Sequence, residues 1–118
     1  MGSVVSMPVV TLREGTTDRI VCQLLADDKA IDLTGVHHVE LEIRDMKRHV
    51  YRYSSLDASP KVGVLDTANG KVWLDPPASL FKQLYAPYLL YWLVWETETE
   101  WFSVPEETEA MIKVRKNW

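Results

Sequence analysis

The sequence predicts an all-β fold, an antiparallel immunoglobulin-like β-sandwich of about seven or eight strands with one short helical crossover near residues 77–85. Three observations predict it. Apolar and polar side chains alternate with period two in segment after segment. Turn-forming residues punctuate those segments at regular spacing, and only one stretch has helical spacing.

Taken in order, "VVTLR" supplies a first strand. "DRIVCQLLADD" places Ile20, Cys22 and Leu24 on one face and Arg19, Val21 and Gln23 on the other. "HHVELEIRD" alternates most cleanly, with Val39, Leu41 and Ile43 inward and His38, Glu40, Glu42 and Arg44 outward. "HVYRYSS" follows after a short turn. Asn69-Gly70 tolerates positive φ and favours a tight reversal into the strand Lys71–Leu74, which Asp75-Pro76-Pro77 then ends because proline lacks a ladder donor. "PASLFKQLY", between Pro77 and Pro87, has room for one or two helical turns with Leu80, Leu84 and Phe81 toward the core. Tyr88–Glu96, Trp101–Val104 and Met111–Val114 complete the strands.

Two turns and one corner carry specific chemistry. The Asp32 carboxylate can accept backbone N–H groups in an Asx turn, and Gly35 permits the reversal into "VHHVELEI". Tyr88, opening a strand after a crossover, fits a tyrosine corner, with its ring in the core and its hydroxyl tied to backbone. These read as scaffold residues.

Composition bounds the rest. The chain has 118 residues, 47% of them hydrophobic and 25% charged, which reads as one globular domain. Residues 1–9 form an N-terminal arm, where Met1-Gly2-Ser3 has the form of an expression scar ahead of Met7, and residues 10–118 form the single domain. A formal charge of −4 argues against nucleic acid or an anionic membrane as partner. The lone Cys22 cannot form an intramolecular disulfide and reads as a buried hydrophobe, consistent with a reducing cytoplasm. No apolar run reaches membrane-spanning length.

Catalytic signals are absent, so no enzyme and no cofactor are expected. There is no Gly-x-Ser-x-Gly elbow and no glycine-rich phosphate loop. His37 and His38, as strand neighbours, should point to opposite faces and so should not grip one metal ion together with His49. Asp27, Asp28 and Asp32 read as hairpin and turn residues, not as a calcium loop. Carboxylates such as Glu96, Glu98 and Glu100 read as a charged hairpin that keeps an edge soluble.

In order and spacing, Asp32-Leu33-Thr34-Gly35, Asn69-Gly70, Tyr88 and Pro105 resemble the N-terminal, immunoglobulin-like domain of phage baseplate upper proteins. The likeness spans roughly residues 10–114. Ala86 stands where such domains usually carry a glycine, and "DMKRH" and "ETETE" replace Asp-Gly hairpin tips. The resemblance implies a non-enzymatic virion structural protein of the tail or baseplate, assembled in the host cytoplasm. It would dock to other tail proteins, link them to receptor-binding components and form a homo-oligomer in the particle.

One strand breaks the alternation. If Tyr88, Leu90, Trp92 and Val94 face the core, then Leu89, Tyr91, Leu93 and Trp95 form a second apolar row, which Trp73 can join if its strand lies in the same sheet. Soluble monomers avoid leaving such a row open. Three covers compete: the chain's own crossover or N-terminal segment, a second protein surface, or the sugar of a carbohydrate-binding β-sandwich module. Alternation within a single strand favours the protein surface.

Overall fold

A computed structural model of the chain describes residues 10–104 and 110–115. Among these, eleven strands and one short 3-10 turn build two sheets packed face to face, with a small hairpin beside them. The first sheet runs β1 (Val10–Arg13), β11 (Ala110–Arg115), β9 (Tyr88–Trp95), β5 (His38–Arg44), β6 (Val50–Ser54). β10 (Trp101–Val104) pairs with the C-terminal half of β9 on the edge where β11 pairs with its N-terminal half. The second sheet runs β2 (Ile20–Gln23), β8 (Lys71–Leu74), β7 (Val62–Asp66). β3 (Leu25–Ala26) and β4 (Lys29–Ala30) form the hairpin, with Asp27 and Asp28 at positive φ in its tip.

All pairings are antiparallel except β1 with β11. With β11–β9–β5–β6 facing β2–β8–β7, the order is that of an immunoglobulin-like sandwich. The expected fold class is therefore the observed one.

Period two explains the core. Val39, Leu41 and Ile43 of β5 and Tyr88, Leu90, Trp92 and Val94 of β9 are buried against Cys22, Val62, Val72 and Leu74 of the other sheet. An antibody domain places its second bridging cysteine two residues after the corner tyrosine; here that position is Leu90. Burial pushes the Cys22 thiol up to about 12, and contact with the Trp92 indole offsets part of that rise. The sulfur sits packed and inert.

Two expectations need correction. Leu84 does not face the core but is 73% exposed, whereas Leu80 and Phe81 are buried. The crossover forms only the 3-10 turn Gln83–Tyr85, and the extended backbone of Lys82 before it breaks the helical phase between Leu80 and Leu84. β7 is an additional strand beyond those expected, because Gly63 and Asp66 interrupt its apolar run.

The expected scaffold residues behave as their chemistry dictates. The Tyr88 hydroxyl donates to the Leu80 carbonyl at 2.8 Å and accepts from the Lys82 N–H at 2.9 Å. Asp32 Oδ1 accepts the Thr34 N–H at 2.9 Å, and the Thr34 side chain together with that N–H holds its carboxyl below the usual aspartate range. Gly35 has φ +80. Gly70 has φ +63, and a Cβ there would stand 2.6 Å from the Ile31 carbonyl oxygen. Asn69 is held by Asp66, with Nδ2 donating at 2.8 Å. Pro105 and the arm 1–9 lie outside the described residues.

Candidate docking face

The pleat of β9 turns Leu89, Tyr91, Leu93 and Trp95 away from the core, and all four are half-buried. Register decides what stands beside them. β5 sets His38 opposite Trp95, Glu40 opposite Leu93, Glu42 opposite Tyr91 and Arg44 opposite Leu89. On the other side, β10 sets Trp101 opposite Trp95 and Ser103 opposite Leu93. Neighbouring side chains therefore cover much of the apolar row.

Each cover is specific. The His38 ring stacks on Trp95 with centroids 5.2 Å apart and planes at 11°. Trp95 Nε1 donates to Glu40 Oε1 at 2.8 Å. The Arg44 guanidinium lies 4.9 Å from the centre of the Tyr91 ring, a cation–π distance. Glu42, on the outer face yet only 5% exposed, accepts from Arg44 Nε at 2.7 Å and from Arg52 at 2.6 Å. A carboxylate drawn so far from water requires such paired donors.

Between these walls runs a groove of about 380 Å³, floored by Tyr91 and Leu93 and flanked by Trp95, Trp101, Glu40 and Arg52. Among the described residues its lining comes from β5, β6, β9 and β10, with no crossover residue contributing. Trp101 on the rim is 51% exposed, its ring 6.0 Å from that of Trp95 and tilted by 39°. At the opposite end Met46 and Val50 are exposed as well.

Trp73 does not belong to this face. β8 lies in the other sheet, so Trp73 looks out of the far side of the sandwich. There it lies against Gly63, its cross-strand partner, where an added Cβ would come within 2.8 Å of the indole. The Arg19 guanidinium covers the ring at 4.1 Å while its Nε and Nη2 hold both oxygens of Asp75. Its own chain thus covers Trp73 on two sides.

His37 and His38 also differ from expectation. Their Nδ1 atoms share a hydrogen bond of 2.7 Å, so the rings meet at one place. His37 precedes β5, where strand alternation does not apply, and its N–H donates to the Trp95 carbonyl. His49 is elsewhere, its Nδ1 donating to Asp45 Oδ2 at 2.9 Å. Among the described residues no group of three or more His, Cys, Asp or Glu is arranged to hold a metal ion, and no helix is long and apolar enough to cross a membrane.

Sequence reasoning identifies the β9 row but misses Trp101, Arg52 and the Glu42 ion pairs. Trp101 and Ser103 do alternate outward in β10, a signal that becomes readable only when the Trp101–Trp95 register is known. Chemically the face offers flat aromatic surface, two guanidiniums and two carboxylates. Glu42 is paired with two arginines, and Glu40 accepts from the Trp95 indole. No family model and no curated protein sequence matches the chain.

Proposed function

We propose that the protein is a non-enzymatic assembly module of a phage tail or baseplate, docking through the outer face of β10, β9, β5 and β6. Likeness to the baseplate upper protein domain supports the setting. The half-buried row Leu89, Tyr91, Leu93 and Trp95, continued by the exposed Trp101, supports the choice of face and carries the reading. Completing the burial of such side chains is favourable by some fraction of the roughly 1.5–3 kcal/mol that each gives when fully transferred from water, set against the cost of association.

The partner's chemistry follows from the charges. The β5–β6 end of the face exposes Arg44, Lys47 and Arg48, and the β9–β10 hairpin exposes Glu96, Glu98 and Glu100. A fitting surface presents an apolar centre, with an acidic patch toward the first end and a basic patch toward the second. Gold-conjugated antibody against the domain should decorate tail tips of intact phage particles from its source. Particles carrying no label in any component would contradict the reading.

A second reading rests on the tilted pair Trp95 and Trp101 beside Glu40 and Arg52, which resembles an aromatic shelf with polar groups for a pyranose ring. Glycan-array binding abolished by Trp101→Ser would favour it. An array without signal favours the assembly role.

A further inference from the structure

We infer that the surface seated on this face is a second copy of the same chain, its strands reversed about a two-fold axis lying across them. The inference rests on the assembly reading and names the partner of that same face.

Topology separates the charges. His38 pairs with Trp95 and Arg44 with Leu89, so the β9–β10 hairpin and the β5–β6 turn lie at opposite ends of the sheet. Seven residues of β5 put those ends about 20 Å apart. One end exposes Glu96, Glu98 and Glu100; the other exposes Arg44, Lys47 and Arg48. A face with a basic end, an apolar middle and an acidic end is complementary to itself when turned end for end. A two-fold axis then makes each charged contact twice, the symmetry of most dimers.

The opposite arrangement, hairpin over hairpin, sets three carboxylates against three. Like-charge contact of that kind is repulsive, so orientation is specified along with the partner. Exposed apolar side chains stand at both ends, Trp101 near the acidic hairpin and Met46 and Val50 near the basic turn, ready to extend the contact beyond the groove. Arg44 and Arg52 already hold Glu42, so Lys47 and Arg48 carry the charge that meets the partner's hairpin.

Size sets the strength. Four strands spaced about 4.8 Å and running about 20–25 Å present on the order of 500 Å² per copy. Two such faces bury about 1,000 Å², below the roughly 1,200 Å² at which stable complexes begin. The dimer is therefore weak in dilute solution and forms where copies are concentrated in a particle.

Charge exchange tests the inference. Sedimentation equilibrium across a concentration series should show the wild-type chain forming dimers. Lys47→Glu with Arg48→Glu should weaken the dimer at least about tenfold. Glu98→Lys with Glu100→Lys should do the same, and an equal mixture of the two variants should recover association. A wild-type chain monomeric to millimolar concentration, or a dimer unaffected by either variant, overturns it. Leu93→Asp separates this from the broader reading. If the wild type stays monomeric yet binds a purified neighbouring tail protein, and Leu93→Asp abolishes that binding, the second copy is wrong and the assembly role stands.

Discussion

Gly63 and Trp73 show how one residue's identity settles another's role. Without a Cβ, Gly63 lets the indole lie against the backbone, and Arg19 covers it from outside. Gly63→Ala would push a rigid ring out of that seat, and overpacking of this kind costs about 1–3 kcal/mol. Urea denaturation should show the loss, while Gly63→Ala leaves association through the other face unchanged. Tyr88 is the second decisive residue. Tyr88→Phe keeps the ring and its edge contact with Phe81 but strips the Leu80 carbonyl and Lys82 N–H of their partner. A loss of about 1–3 kcal/mol is expected, and an unchanged denaturation midpoint would mean that the corner adds nothing.

At the scale of elements, the β5–β6 connection is built on one carboxylate. Asp45, with its side chain fully buried, accepts the Lys47 and His49 N–H groups, the His49 ring and the Tyr51 hydroxyl. Burial alone would raise its pKa, but these donors outweigh burial and hold the carboxyl below the ordinary aspartate value. With the folded value below the unfolded one, near about 3.9, the charged group stabilises fully above about pH 4, and the benefit disappears as acid protonates it through its lower folded value. The stability gap between wild type and Asp45→Asn should be wide at about pH 7 and should shrink progressively as pH falls below about 4. A gap of constant width would show that the charge is not what the turn uses.

The elements also show which features can be read from residues. β5 and β9 are legible because alternation reports burial directly, and Tyr88, Asp32 and Gly70 because their local chemistry permits few alternatives. β7 is hidden by Gly63, a strand-weakening residue whose place is explained only by Trp73 across the ladder. The sequence leaves Trp73 on the wrong face because sheet membership is a long-range property, absent from any window of residues. His37 misleads for a local reason: alternation does not extend to the residue before the strand begins.

For the molecule as a whole, the two outer faces of the sandwich differ in kind. The β2–β8–β7 side has its one large aromatic fastened between Gly63 and Arg19. The β10–β9–β5–β6 side carries a doubly apolar central strand, a groove and charges separated to its two ends. Greasiness on both sides of β9 thus has two causes. Part of it is answered by His38, Glu40, Arg44 and Trp101 within the chain, and the remainder is what the proposed partner would cover.

Hydroxyl-radical footprinting of the domain, free at low concentration and within the proposed tail assembly, tests that proposal most directly. Trp101 and Leu93 should react at least about tenfold more slowly in the assembly, as fully desolvated interface centres do, while exposed Leu65 and Leu84 serve as references. If Trp101 and Leu93 react as readily in the assembly as in the free domain, the outer face of β9 is not where this protein docks.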